Sequence, residues 1–101
     1  MNFESLSFLL KPSPLWEQQL PAGIHKYAEE YFNEELMELY QPELVVLPIT
    51  PEGEQRREWL SMNHYDDKGV ITHQDVHCYG AVEHNFNYRG EEYLAILVNN
   101  D

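Results

Sequence analysis

The residues best equipped for chemistry gather in one stretch, where His64, Asp66, Asp67, His73, Asp75, His77, Cys78, Glu83 and His84 follow one another closely. Imidazole and carboxylate groups are the usual protein ligands of zinc and iron, so three of them on one face would suggest a divalent-metal site. Val70 to Tyr79 reads as a strand, and its alternation projects His73, Asp75 and His77 to one side. Same-face neighbours on one strand are about 6–7 Å apart, which is too far for a single ion to bridge all three. No tight metal site is expected there. Polar side chains facing solvent opposite Val70, Thr72, Val76 and Cys78 account for the pattern.

Cys78 beside His77 suggests a thiol with a base, but neighbouring strand residues point to opposite faces and cannot make the hydrogen bond that such a pair needs. A buried, inert thiol is the expectation. The Asp66-Asp67 pair is followed by Lys68, whose ammonium would occupy the centre of a calcium loop. Neither a glycine-rich phosphate loop nor a serine nucleophile elbow occurs. With no assembled catalytic set, the chain is expected not to be an enzyme and to need no cofactor. The alternative is a calcium-binding protein whose site is assembled from scattered carboxylates outside any EF-hand.

Charge gives the strongest indication of a partner. Eighteen Asp and Glu against six Lys and Arg leave a formal net charge of −12 over 101 residues. A field of that sign repels nucleic-acid phosphates and anionic lipid surfaces, so a basic protein is the natural partner and direct nucleic-acid or membrane binding is not expected. Five carboxylates, Glu29, Glu30, Glu34, Glu35 and Glu38, lie in one segment, with Glu43 just beyond it. Glu30, Glu34 and Glu38 are four apart, a spacing at which like charges on a helix cost a few tenths of a kcal/mol per pair. Glu35 and Glu38 also sit toward the helix C-terminus, where the macrodipole disfavours them. Against a cationic surface that repulsion becomes attraction and steers association. Tyr88, Arg89, Glu91 and Glu92 form a second candidate contact, because Tyr and Arg are enriched among residues that dominate binding energy. The expected role is a small acidic inhibitor or modulator, of the kind exemplified by immunity proteins, antitoxins and phage-encoded blockers. Its carboxylates would take the places of phosphates on a basic nucleic-acid-handling protein.

These residues need elements to position them. The apolar residues between Ala22 and Tyr40 recur at three-and-four spacing, predicting an amphipathic helix bounded by Pro21 and Pro42, with a possible break near Asn33. Ile24, Tyr27, Ala28, Tyr31, Leu36 and Leu39 are the expected inward positions. Leu44 to Ile49 reads as a buried strand, Thr50 to Glu54 as a loop containing Pro51 and Gly53, and Arg57 to Tyr65 as a further strand. Asp66 to Gly69 is suited to a hairpin turn, as is the stretch from Arg89 to Glu92 between Val82–Tyr88 and Leu94–Val98. Ser5 to Leu10 suggests a short strand, and Pro14 to Leu20 a helical turn opened by proline. The sum is an α+β fold, with one main amphipathic helix packed on an antiparallel sheet of four to five strands. One domain is expected, since 101 residues are too few for two cores. A single cysteine precludes an internal disulfide, and Glu4 ahead of the first apolar run is the wrong charge order for a secretory signal. Cytoplasm is the expected location.

Overall fold

The computed structural model describes residues 14–100, which form an α+β arrangement of short helices around antiparallel strands. The proposed strand at Ser5 to Leu10 lies outside the described residues. Helix α1 (Pro14–Gln18) opens on proline as expected, followed by α2 (Ile24–Tyr31), α3 (Asn33–Met37), β1 (Glu43–Pro48) and α4 (Pro51–Leu60). Then come β2 (His64–Tyr65), β3 (Ile71–His73), a 3-10 turn (Val76–Tyr79), β4 (Val82–Tyr88) and β5 (Glu91–Val98). The five strands divide into an antiparallel three-stranded sheet of order β1-β5-β4 and a separate β2-β3 hairpin.

Strand β5 is the centre of the molecule. Its residues Tyr93 to Val98 are buried without interruption, because helices cover both faces of the sheet and alternate side chains serve two cores. Tyr93, Ala95 and Leu97 join Val46 and Phe86 against Ile24, Ala28 and Phe32 on the α2 side. Leu94, Ile96 and Val98 join Leu47 against Trp16, Leu60 and Val76 on the α4 side. Burying each large apolar side chain contributes roughly 1.5–3 kcal/mol, so this two-sided packing is what holds the sheet.

The segment predicted as one helix is two, joined at Phe32, whose φ of −101° and ψ of 21° depart from helical values. The second helix begins at Asn33 without a side-chain cap, so Asn33 does not serve as the N-cap. The buried row is Ile24, Ala28 and Phe32 at strict four-residue spacing, with Leu36 and Leu39 partly buried after it. Tyr27 and Tyr31, expected inside, sit one position back on the helix circumference and are exposed, at 37% and 58%.

The largest departure is at residues 50–60, where the expected loop and the first part of the expected strand are replaced by α4, and only His64–Tyr65 of that strand is extended. Thr50 accepts a hydrogen bond from the Gly53 N–H as N-cap, Pro51 occupies the first turn, and Glu52 and Glu54 complement the helix dipole. Gly53 is in the helix because the chain passes so close to β1 that a Cβ would run into the Pro48 carbonyl. The expected strand from Val70 to Tyr79 is also shorter. It ends at His73, and Asp75 then caps the 3-10 turn by accepting from the His77 N–H at 2.8 Å. Both hairpin turns are observed. Asp66 accepts from the Lys68 and Val70 amides, and Arg89-Gly90, at φ 53° and 87°, joins Tyr88 to Glu91.

Candidate functional site

The i+4 row that buries Ile24, Ala28 and Phe32 necessarily turns the residues between them outward. Glu30, Glu34, Glu35 and Glu38 are all exposed, and none of them is in an ion pair among the described residues. Glu29 pairs with His25 at 2.9 Å and shares with it a cleft of about 500 Å³ between α2–α3 and the start of β1. Glu43 stands on the other wall, and Leu36 and Leu44 supply apolar surface. The structure thus brings Glu29 and Glu43 together, while Glu30, Glu34, Glu35 and Glu38 lie outside this cleft.

An aromatic shelf adjoins the carboxylates. Tyr27 packs on Tyr88 with ring centroids 4.9 Å apart and on Tyr31 at 6.0 Å; Tyr31 meets Phe32 edge-on at 4.8 Å. Phe32 meets Phe86 edge-on at 5.7 Å and stacks on His84 at 5.4 Å. The Tyr88 hydroxyl donates to the Ala22 carbonyl at 3.3 Å, and the Arg89 guanidinium lies over the Tyr88 ring at 5.1 Å. This shelf joins two candidate regions that are distant in sequence, the helix and the last hairpin. Tyr88, Arg89 and Glu91 also line a second cleft of about 330 Å³ with the end of α1, while Glu92 is exposed outside it. Tyr27 and Tyr31 were expected in the core; their exposure follows only from which helical row the sheet accepts.

The histidines between positions 64 and 84 do other work. His64 Nε2–H donates to the Trp59 carbonyl at 3.0 Å, and His73 Nε2–H donates to the Leu60 carbonyl at 3.3 Å. The two imidazoles therefore satisfy terminal carbonyls of α4 and fix the β2-β3 hairpin to that helix end. Both rings lie on the Trp59 indole, at 4.3 and 4.2 Å, and Arg56 lies over the same ring at 4.6 Å. Burial holds the His73 imidazole below its usual value and also lowers the Arg56 guanidinium. Trp16 Nε1, Arg56 Nε and Trp59 Nε1 are buried without hydrogen-bond acceptors among the described residues. The ring faces offer Arg56 electrostatic compensation instead.

His77 bridges two carboxylates, with Nδ1 3.0 Å from Asp75 and Nε2 3.1 Å from Glu83. Glu83 also accepts from Arg57 Nε at 2.6 Å, and Arg57 reaches Glu54 at 3.1 Å. The His77 backbone N–H is the main reason the Asp75 carboxyl stays below the ordinary carboxylate range. His73, Asp75 and His77 do not share a strand face, because the strand ends before Asp75. Cys78 is exposed, which corrects the expectation of a buried thiol; it sits in the 3-10 turn, not on an alternating strand. Among the described residues no group of three or more His, Cys, Asp and Glu is placed to hold a metal ion, and no helix is long and apolar enough to cross a membrane. The comparisons with protein-family models, curated proteins and solved structures found no match to the chain.

Proposed function

We propose that the chain is a protein-binding inhibitor or modulator that docks on a basic partner through α2 and α3, by way of Glu30, Glu34, Glu35 and Glu38. The observation that supports this reading best is the company these carboxylates keep. They have no cationic partners among the described residues and stand beside exposed Tyr27 and Tyr31. Unpaired carboxylates steer a cationic surface from a distance, and rigid aromatic rings supply contact area at small entropic cost once it arrives. Glu29 and Glu43 extend the acidic surface around the cleft. The Tyr88–Arg89 turn, with Glu91 and Glu92, continues it along the aromatic shelf. A basic nucleic-acid-handling protein of the cytoplasm fits the charge.

The test is capture from a lysate of the source cell on the immobilised full chain, at low and near-physiological salt, beside a Glu30→Lys, Glu34→Lys, Glu38→Lys variant. A partner identified by mass spectrometry is then measured directly. The triple variant is expected to keep its fold and lose binding at least tenfold, since each like-charge juxtaposition in an interface costs on the order of a kcal/mol or more. Undiminished affinity in the variant would make the acidic row a bystander and move the interface to the Tyr88–Tyr93 hairpin.

A further inference from the structure

Strand β4 is an edge of the three-stranded sheet, and no strand pairs with its outer side among the described residues. It spans seven residues in unbroken register with β5, from Val82 opposite Leu97 to Tyr88 opposite Glu91. The strand has no proline, no lysine and no bulge, and its one charged edge residue, Glu83, is paired with Arg57. The other edge, β1, ends in Pro48, which has no N–H to offer, and carries Glu43 at its start.

The two-residue turn at Arg89-Gly90 fixes which backbone groups of β4 are spent. A turn of this kind closes on a hydrogen-bonded pair, here Tyr88 with Glu91. Alternation then commits the N–H and C=O of Tyr88, Phe86, His84 and Val82 to β5, and those of Asn87, Asn85 and Glu83 point outward. Charge singles out the occupant. In a chain of net charge −12, β4 holds one carboxylate, Glu83, and Arg57 already neutralises it at 2.6 Å. An electrically quiet strip on a strongly acidic molecule is where another acidic molecule of the same kind can approach.

We propose that two copies of the chain pair antiparallel through β4, about a two-fold axis at Asn85, to form a continuous six-stranded sheet. In that register Asn85 faces Asn85, Glu83 faces Asn87 and His84 faces Phe86, so no like charges are opposed and each carboxylate meets a side-chain amide. The three residues with outward backbone groups pair with one another, as an isologous interface requires. The axis is perpendicular to the sheet, so both α2–α3 layers lie on one face and their carboxylate rows share it. Edge pairing of seven residues buries little surface, and two acidic bodies repel across it, so the dimer is weak and concentration-dependent. Its salt dependence is opposite to that of docking on a basic partner: added salt screens the repulsion between copies and strengthens the pair.

Sedimentation equilibrium on the full chain, across protein and salt concentration, tests this. The expected result is a mass that moves from 12.0 kDa toward twice that value as both rise. Asn85→Glu sets two carboxylates opposite each other on the axis and should raise the dissociation constant about tenfold or more. Asn85→Lys should do the same alone, and an equimolar mixture of the two variants should restore association. Circular dichroism and a melting curve establish that each variant is folded. A mass of 12.0 kDa at the highest protein and salt concentrations overturns the proposal, and so does a dimer that both Asn85 variants leave unchanged.

Discussion

The two faces of the sheet are built to different ends. On the α4 side, charged and polar groups are tied into the protein: Arg57 to Glu54 and Glu83, Glu83 to His77, His77 to Asp75, and His64 and His73 to the carbonyls of α4. On the α2 side the aromatic cluster runs from buried Phe32 and Phe86 out to exposed Tyr31, and the exposed carboxylates of α3 have no ion-pair partners among the described residues. A face that ties these charged groups to one another contributes stability, although Trp16 Nε1, Arg56 Nε and Trp59 Nε1 on it have no acceptor among the described residues. One that leaves rings and charges unspent is suited to interaction. Arg56 and Arg57 are both on α4, where Arg57 pairs with Glu54 and Glu83, while Lys26 on α2 and Arg89 beside Tyr88 are the cations of the other face.

The sharpest way to break that comparison is within the α2 face itself. Phe32→Ala removes a ring that is 5% exposed and touches Tyr31, His84 and Phe86, and should cost about 3–5 kcal/mol. Tyr31→Ala, one residue earlier and 58% exposed, should cost less than about 1 kcal/mol and show its effect in partner binding instead. Urea midpoints for the two variants settle the matter; equal losses would mean that Tyr31 belongs to the core after all.

Gly53→Ala addresses the α4 face. In an ordinary helix interior this change stabilises by about 1 kcal/mol. Here the new Cβ meets the Pro48 carbonyl, which is backbone and held by the β1-β5 ladder, so α4 must move off the sheet. A loss of about 2–3 kcal/mol is expected, read as a fall in melting temperature of about 10 °C or more. A neutral or stabilising result would show that α4 is not held closely against β1.

How much of this was legible in the sequence depended on whether a residue's role was local. The inward positions Ile24 and Ala28, the Leu44 to Ile49 strand and the hairpin turns at Gly69 and Gly90 follow from spacing and turn chemistry and are present, whereas Phe32, buried in the same row, is not among the expected inward positions. Helix α4 was hidden because only Trp59 and Leu60 are large apolar residues within it, and because Gly53 and Pro51 carry the appearance of a turn. The Thr50-Pro51 cap was the signal that pointed the other way. That His64 and His73 cap α4 could not be read without α4, which left their spacing open to a metal-site reading. The exposed tyrosines of the candidate interface were misplaced for a related reason. Periodicity gives the width of an apolar stripe, while the sheet decides which edge of the stripe is covered.

The smallest expected effect is a pH dependence that separates the two faces by titration. Burial is the main cause of the low His73 value, and the nearby His64 and Arg56 add to it. The folded chain therefore takes up the His73 proton at lower pH than the unfolded chain, whose imidazole titrates at the ordinary value of 6.5. The stability linked to neutral His73 is fully present above that value and is lost as pH falls from it through the lower folded one. Asp75 behaves with the same sign in a more acidic window, because its depressed carboxyl contributes above its ordinary value of 3.8 and loses that contribution below it. Between pH 7.5 and 5.5 the His73 term can thus be read apart from Asp75. His73→Gln keeps a donor for the Leu60 carbonyl and removes the titration, so wild type should lose stability relative to this variant as pH falls across that interval. Urea midpoints for both chains at each pH provide the check. Parallel profiles would mean that His73 takes up its proton equally well folded and unfolded, and that the imidazoles against Trp59 are as open to water as the carboxylates on the opposite face.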